Sequence, residues 1–478
     1  MSGNGYLTEC EREPLNLSGQ IQPHGALLIL DDQGRISHVS DNIDVFLPGE
    51  APAWLGLQAP ECLRELADAL PHEPGARLVG ACRLDDPPGA LDVVASRSRQ
   101  DRVTLELSRP GPAPAARVGD PAASPLDRQA LLAAVSGLTG FERVMYYRFM
   151  DNGDGEVLDE IRRGEVYGSY LGLRFPASDI PRIARHLYLC NPWRWIPDAS
   201  AEPVAILGRD SEAPDLTWSD LRSVSPVHRE YLGNMGVRAA LSFPVRVNGE
   251  LHALVACHHS SPGRLGMPVL EQISQRVTKH AQVLATELAR QRMCLLDTLG
   301  SRFGQARAIL DRHGELFSAW SELGPWLMRE FDADGALLCG PDQLVATGLE
   351  LPPEALAALD ARPELFGERS FWISDSLSRD LPGLPHGSAA GVLVVRPGRG
   401  LPSEGCILLT RGEHIEEIHW GGNPHKPPEH LGGRSVLSPR RSFEKWVERR
   451  IGHCRPWGKE SSLMAYRVRE LLAKAPRG

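Results

Sequence analysis

The chain has no apolar run long enough to cross a bilayer; segments such as "GALLIL" and "GVLVV" have the length of core strands. Its N-terminus, "MSGNGYLTECERE", lacks a basic stretch followed by an apolar one, so no secretory signal is expected and the expected compartment is the cytoplasm. There is no excess of positive charge. A net charge of −9 with a pI near 6.0 argues against a broad nucleic-acid surface, and neither nucleic acid nor membrane is an expected partner. No two of the nine cysteines have CxxC spacing, and their number is odd, so neither a disulfide framework nor a metal site is expected. Eight of them read as ordinary small residues; Cys10 stands apart, near a terminus and in a polar stretch. There is no Walker A loop, no GxGxxG after a strand, no HExxH and no GxSxG. A histidine-kinase catalytic domain needs a Gly-rich nucleotide site, and none is found. His228, in "SPVHREYLGNMG", is a poor phosphoacceptor because its segment feeds a strand and not an exposed helical hairpin. No catalytic residue is assigned.

What is present is a soluble composition, 42% hydrophobic and 24% charged, over 478 residues, enough for about three domains. The first region alternates like strands through "GALLILDDQGRISHVS", "ARLVGACRL", "ALDVVASRS" and "DRVTLELSR". "PGPAPAARVGDPAASP" then breaks all periodicity and reads as a linker, closing the region at about residue 125. The second region, 126–305, opens with the helix-like "DRQALLAAVSGLTG" and ends its strands in a hairpin turning at Asn248-Gly249. From Met267 to about Arg312 apolar residues recur at helical spacing with no proline after the first turn, predicting one helix of roughly 70 Å. A break near Gln291 is the alternative. The third region, 306–478, carries a Gly-, Pro- and His-rich excursion at about 411–455, too long for an ordinary connection. Each region mixes helices with an antiparallel sheet, so the fold class is α+β in three tandem domains.

One short segment, "FPASDIP", sets Asp179 on stiff backbone between Pro176 and Pro181. Local chemistry alone favours Asp179 as the N-cap of the helix-like "RIARHLYL".

The ordered set "LTECEREPLNLSGQIQPHGALL", "FPASDIP", "SPVHREYLGNMGV", "ALVACHH", "WGGNPHKP" and "PRRSF" closely resembles the photosensory module of bacteriophytochromes, over essentially the whole chain. The resemblance implies PAS, GAF and PHY domains and a red/far-red photoreceptor that binds biliverdin, a linear tetrapyrrole. It implies that Cys10 forms a thioether to the biliverdin vinyl group, and that the N-terminal segment threads through a GAF loop with Ile21 at the crossing. It implies that the Asp179 carbonyl and His228 hold the protonated pyrrole nitrogens, with His258 at the D-ring carbonyl. That ring turns when light isomerises its bridging double bond. Arg194 and Arg222 match the family's propionate clamps, and Ser225 and Ser242 its hydroxyl partners. Tyr147, Phe175, Tyr188 and Tyr231 are the implied aromatic walls, with Ile180, Pro181 and Met235 completing the lining. Two departures bear on the propionates: Ala240 stands where a serine is common, and Pro192-Trp193 are unusual beside Arg194.

The excursion resembles the PHY tongue. The resemblance implies that Arg440 pairs with the Asp179 carboxylate in the red-absorbing state. Ser442 would replace it in the far-red-absorbing state, as the tongue passes from hairpin to helix. A homodimer through the long helix and a downstream output domain, a histidine kinase with its response regulator, are the implied partners. The competing function is a sensor of the same folds that binds another small ligand without photochemistry; Cys10 together with "PRRSF" weighs against it.

Overall fold

Short runs of Val, Leu and Ile closed by Gly- and Asp-bearing turns build the first sheet from β1 (Gln20–Ile21), β2 (Gly25–Leu30), β3 (Ile36–Ser40), β4 (Arg77–Asp85), β5 (Pro88–Arg97) and β6 (Val103–Ser108). The computed structural model describes residues 14–85, 88–112, 124–164, 168–209, 212–366, 369–383, 389–397, 405–424, 429–431, 434–436 and 442–474. Cys10 and Arg440 therefore lie outside the described residues. The described residues fall into two compact units, one running up to Glu287 and including His419–Trp446, the other made of Leu288–Ile418 and the residues from Val447.

In the first unit, β7 (Arg143–Phe149), β8 (Gly155–Arg162), β9 (Arg174–Phe175) and β10 (Arg194–Ile196) are joined by β12 (Ala239–Val247) and β13 (Glu250–His259). They form an antiparallel sheet in the order β10-β12-β13-β7-β8-β9. The expected turn between β12 and β13 has both Asn248 (φ 52°) and Gly249 (φ 82°) in the left-handed region, the geometry that matches strand twist in a two-residue hairpin. The helix Arg128–Thr139 is capped by the Asp127 side chain and stops at Gly140 (φ 69°). Strand β11 (Val204–Gly208) leaves this domain altogether. It inserts between β1 and β3, so the first sheet reads β1-β11-β3-β2-β6-β5-β4, antiparallel at each side of β11.

The long helix spans Met267–His313 without a break and ends where Gly314 turns to φ 75°. Its first part packs Ile273, Val277 and Ala281 into the core of the first unit, and its last part packs Leu299, Phe303 and Ala306 into that of the second. Between these parts Leu288, Met293 and Leu296 are exposed.

The second unit holds β14 (Gly335–Cys339), β15 (Leu344–Gly348), β16 (Phe371–Ser374), β17 (Ala389–Val395) and β18 (Cys406–Gly412), ordered β15-β14-β18-β17-β16. Trp320, Trp326 and Phe331 fill one side of that sheet with Val468 and Leu472 of the helix Lys459–Lys474. Within the excursion the described residues form strand, not helix: β19 (Glu416–Gly421), then β20 (Glu429–Leu431) paired antiparallel with β21 (Arg434–Val436).

The expectation for the cysteines fails at two of them. Cys62 and Cys82 are not ordinary residues: they form a disulfide. The packing of the helix Glu61–Asp68 on β4 brings the two together across a 20-residue separation, with Cα atoms 5.6 Å apart. Short-range cysteine spacing carries no trace of such a pair.

Candidate functional site

The backbone of "FPASDIP" makes one 3-10 turn, Ala177–Asp179, and then extends. Pro181, not Asp179, occupies the N-cap position of the helix Arg182–Cys190, and no side chain caps it. The local reading of Asp179 as a cap is thus corrected: proline has no N–H and its fixed φ suits the helix start, so the turn finishes before the helix begins. The Asp179 carboxylate instead accepts a hydrogen bond from the Tyr231 hydroxyl at 3.0 Å.

Arg185, within the "RIARHLYL" run, fixes this loop. Its guanidinium donates to the carbonyls of Ile180 (2.7 Å), Gly153 (2.7 Å) and Ala177 (3.0 Å), and stacks over Phe149 at 4.9 Å. The Asp154 carboxylate accepts from Ala177 N at 3.0 Å. A rigid cation thus gathers the carbonyls of two loops, and it holds residues 177–180 at one wall of a cavity.

That cavity has a volume of about 340 Å³. Tyr147, Phe175, Asp179, Ile180, Pro181 and Tyr188 line it from the side of β7, β9 and the helix that follows. Arg194, Arg222, Ser225, His228, Tyr231, Met235, Ser242 and His258 line the rest. Tyr147 lies 6.0 Å from Phe175 between ring centroids, and His228 stacks nearly parallel to Tyr231 at 6.1 Å. Ile21 does not line the cavity. It is fully buried, pairs with Val204 and bridges to Arg222. Ser442 is exposed, and its hydroxyl accepts from Glu444 N at 3.4 Å. The neighbouring Phe443 sets its edge against Tyr231 at 5.1 Å. Gly421 lies so close to Phe175 that a Cβ there would sit 2.6 Å from the ring.

Two guanidiniums meet at one end. Arg194 donates to the carbonyls of Asp220 (3.3 Å) and Ser223 (3.0 Å), and Arg222 to that of Leu216 (3.3 Å). Burial, with repulsion from Arg222 added, pulls Arg194 down to about 9, and burial lowers Arg222 as well. Trp193 packs under the Arg77 guanidinium at 4.8 Å, so its bulk goes into the core beside the clamp. Ala240 offers the cavity only a methyl group, and the Ser225 hydroxyl already accepts from His228 N as cap of the helix Pro226–Asn234.

The cavity histidines are neutral. His228 opens onto the cavity while protein closes around its other sides; burial, then Arg194, lowers it to about 4. Burial, then Arg143 and His228, lowers His258 to about 3, and its Nδ1 is buried with no hydrogen-bond partner. A folded-state pKa below the unfolded value of about 6.5 means that the unfolded chain takes up the proton first as pH falls. The histidine contribution is thus intact above pH 6.5 and lost on acidification towards 3. Ligand-free protein is expected to lose stability between pH 6.5 and 4.5, by at most about 1.4 kcal/mol per pH unit for each such histidine. Solvent entering the cavity lowers that ceiling. Urea midpoints across this range check it: the His258→Gln slope should be flatter, and equal slopes would sink the point.

Several residues of the site escaped sequence reasoning. Tyr170 and Met145 also line the cavity. Arg185 and Phe443 sit inside motifs that were recognised, but their roles depend on partners far away in the chain. Glu106, Arg77 and Asp220, behind the arginine pair, left no local signal.

Profiles of known families match the chain in three places: a PAS fold over residues 10–78, a GAF domain over 129–292 and a phytochrome region over 306–476. A bacteriophytochrome of Pseudomonas aeruginosa is 34% identical over 97% of this chain and 66% of its own length. One from Xanthomonas campestris pv. campestris is 30% identical over 94% of this chain and 76% of its own. Cyanobacterial phytochrome B of Nostoc is 30% identical, and the chain spans 66% of it. Among solved structures, a bacteriophytochrome from R. palustris superposes with TM-score 0.79 at 28% identity, covering 98% of this chain and 99% of that one. The Stigmatella aurantiaca phytochrome photosensory core module gives 0.76 at 30% identity, covering 97% of each. No helix among the described residues is long and apolar enough to cross a membrane.

Proposed function

We propose, since the chain belongs to the bacteriophytochrome family, that its cavity holds biliverdin bonded to Cys10 and that it senses red and far-red light. The proposed division is PAS 1–125, GAF 126–305 and PHY 306–478. The observation that carries the reading is the pair Arg194 and Arg222. Two buried guanidiniums beside an aromatic cavity, both lowered by burial and Arg194 by Arg222 as well, call for two anions in a flat apolar ligand, and a linear tetrapyrrole with two propionates has that form. His258 lines the cavity, where a neutral imidazole suits a ligand that brings its own polar group.

When bound, biliverdin supplies the absorption of red light, a vinyl group open to a thiol, and a D-ring bridge that isomerises. The chain's residues do the rest. Arg194, Arg222 and Ser242 hold the propionates, while Ser225 remains in part a helix cap. The Asp179 carbonyl and neutral His228 accept hydrogen bonds from ring nitrogens, and His258 meets the D-ring carbonyl. Tyr147, Phe175, Tyr188 and Tyr231 keep water away from that ring, with Ile180, Pro181 and Met235 filling between them. Through the tongue, Arg440 partners the Asp179 carboxylate in one state and Ser442 in the other; strands in the tongue correspond to the hairpin form. Along the long helix, exposed Leu288, Met293 and Leu296 provide an apolar face for a second copy. The curated relatives from Pseudomonas and Nostoc extend beyond the match, and a histidine-kinase output acting on a response regulator is proposed to lie outside these residues.

The test is a spectrum. Apoprotein mixed with biliverdin should develop a red-absorbing band that red light converts to a far-red one and far-red light restores. A stable red band that light does not change would favour a ligand sensor without photochemistry; no band at all would overturn the reading.

A further inference from the structure

We propose that Glu106, on a strand of the first domain, is a positioning residue for the arginine pair, and thereby makes the cavity prefer a doubly anionic ligand. The inference rests on the bilin reading of the cavity.

Along β6 the side chains of Val103, Leu105 and Leu107 enter the core of the first domain. Glu106 points to the opposite face and is still only 3% exposed, because the segment 216–221 covers it. Its carboxylate takes three donors from three consecutive residues there. Oε1 accepts from the Ser219 hydroxyl and from Leu221 N (2.9 Å), and Oε2 accepts from Asp220 N (3.0 Å). The next residue in the chain is Arg222.

The same segment carries the second clamp. The Asp220 carbonyl accepts from Arg194 (3.3 Å) and from Gln22 Nε2 (3.3 Å), and Gln22 N donates to Leu221 O at 2.7 Å. The Asp220 carboxylate is ion-paired with Arg77 of β4, with Arg77 Nη1 3.2 Å from Oδ1. Both guanidiniums therefore hang from a loop that Glu106 and Arg77 hold from the first sheet. Burial, reinforced by Asp220, raises the pKa of Glu106; the three hydrogen bonds oppose this.

A carboxylate suits the place because it only accepts. A glutamine has one acceptor oxygen, and its NH₂ would meet the N–H of Asp220 donor to donor. Glu106→Gln keeps the volume and removes the fit. Two ligands report the result in apoprotein carrying Cys10→Ala throughout, so that binding stays reversible: biliverdin, and biliverdin dimethyl ester, whose side chains carry no charge. With Glu106 in place, this chain should prefer the diacid. In Glu106→Gln the diacid should bind at least tenfold more weakly while the ester changes less than twofold. Ser219→Ala, which removes one donor and leaves the charge, should move the diacid about threefold in the same direction. A pigment-free readout stands beside these: exchange of the Asp220 and Leu221 amide hydrogens should speed up at least tenfold in Glu106→Gln. Equal weakening of both ligands, or unchanged exchange, would overturn the inference. A chain that keeps Glu106 and fails to tell diacid from ester would instead overturn the propionate reading of the cavity, while the exchange result would still judge the role of Glu106 in holding the loop.

Discussion

Cys10→Ala protein incubated with biliverdin is expected to show no zinc-induced fluorescence at its band on a denaturing gel, where the natural chain shows a strong one. A thioether survives detergent, whereas hydrogen bonds and ion pairs to the pigment do not. No other thiol among the described residues is placed to substitute. None of them lines the cavity. Cys257 is fully buried in β13 with its thiol pKa pushed up by that burial, and Cys190 is half-buried and also raised. A red-absorbing band should persist in the variant, because the arginines and the aromatic walls still grip the pigment. A fluorescent band that survives the substitution would move the attachment to another cysteine.

Gly155→Ala is the second large effect. On β8, Gly155 faces Phe149 on one neighbouring strand and Phe175 on the other, and the Tyr147 ring lies across it. A Cβ there would fall within the Tyr147 ring, so that ring has to leave the cavity wall or the strands have to part. Overpacking of this kind costs about 1–3 kcal/mol. Gly233→Ala is the matched control. It sits in the helix Pro226–Asn234 with nothing within 4 Å of its added methyl, and should be neutral or stabilising by up to about 1 kcal/mol. Urea midpoints of the two apoproteins distinguish them. A Gly155→Ala midpoint equal to that of the natural chain would show that the ring yields freely and that the wall is soft.

Periodicity and turn chemistry were enough for much of the fold. The long helix could be read without a break because no proline interrupts its stripe, and the structure carries it from Met267 to His313. Asn248-Gly249 announced its hairpin because few residues accept left-handed backbone. What the sequence concealed were relations between distant segments. Asp179 looked like a cap because its neighbours favour one, yet its hydroxyl partner Tyr231 lies far along the chain. Glu106 in "TLELS" has the alternation of a strand with one wet face; that face is dry only because a loop from the next domain lies on it. The Cys62–Cys82 bond belongs to the same class, since a helix docking on a strand sets it.

Strand β11 has a consequence for how the chain is made. It is the only strand from the second domain in the first sheet among the described residues, and it separates β1 from β3. During synthesis β1 leaves the ribosome early and has no neighbour to bond until residues 204–208 follow it. The first sheet therefore closes late, after most of the second domain has been translated, and such long-range pairing is slow. Cutting the chain in the linker would divide one sheet between two products, and neither piece would fold as the intact protein does.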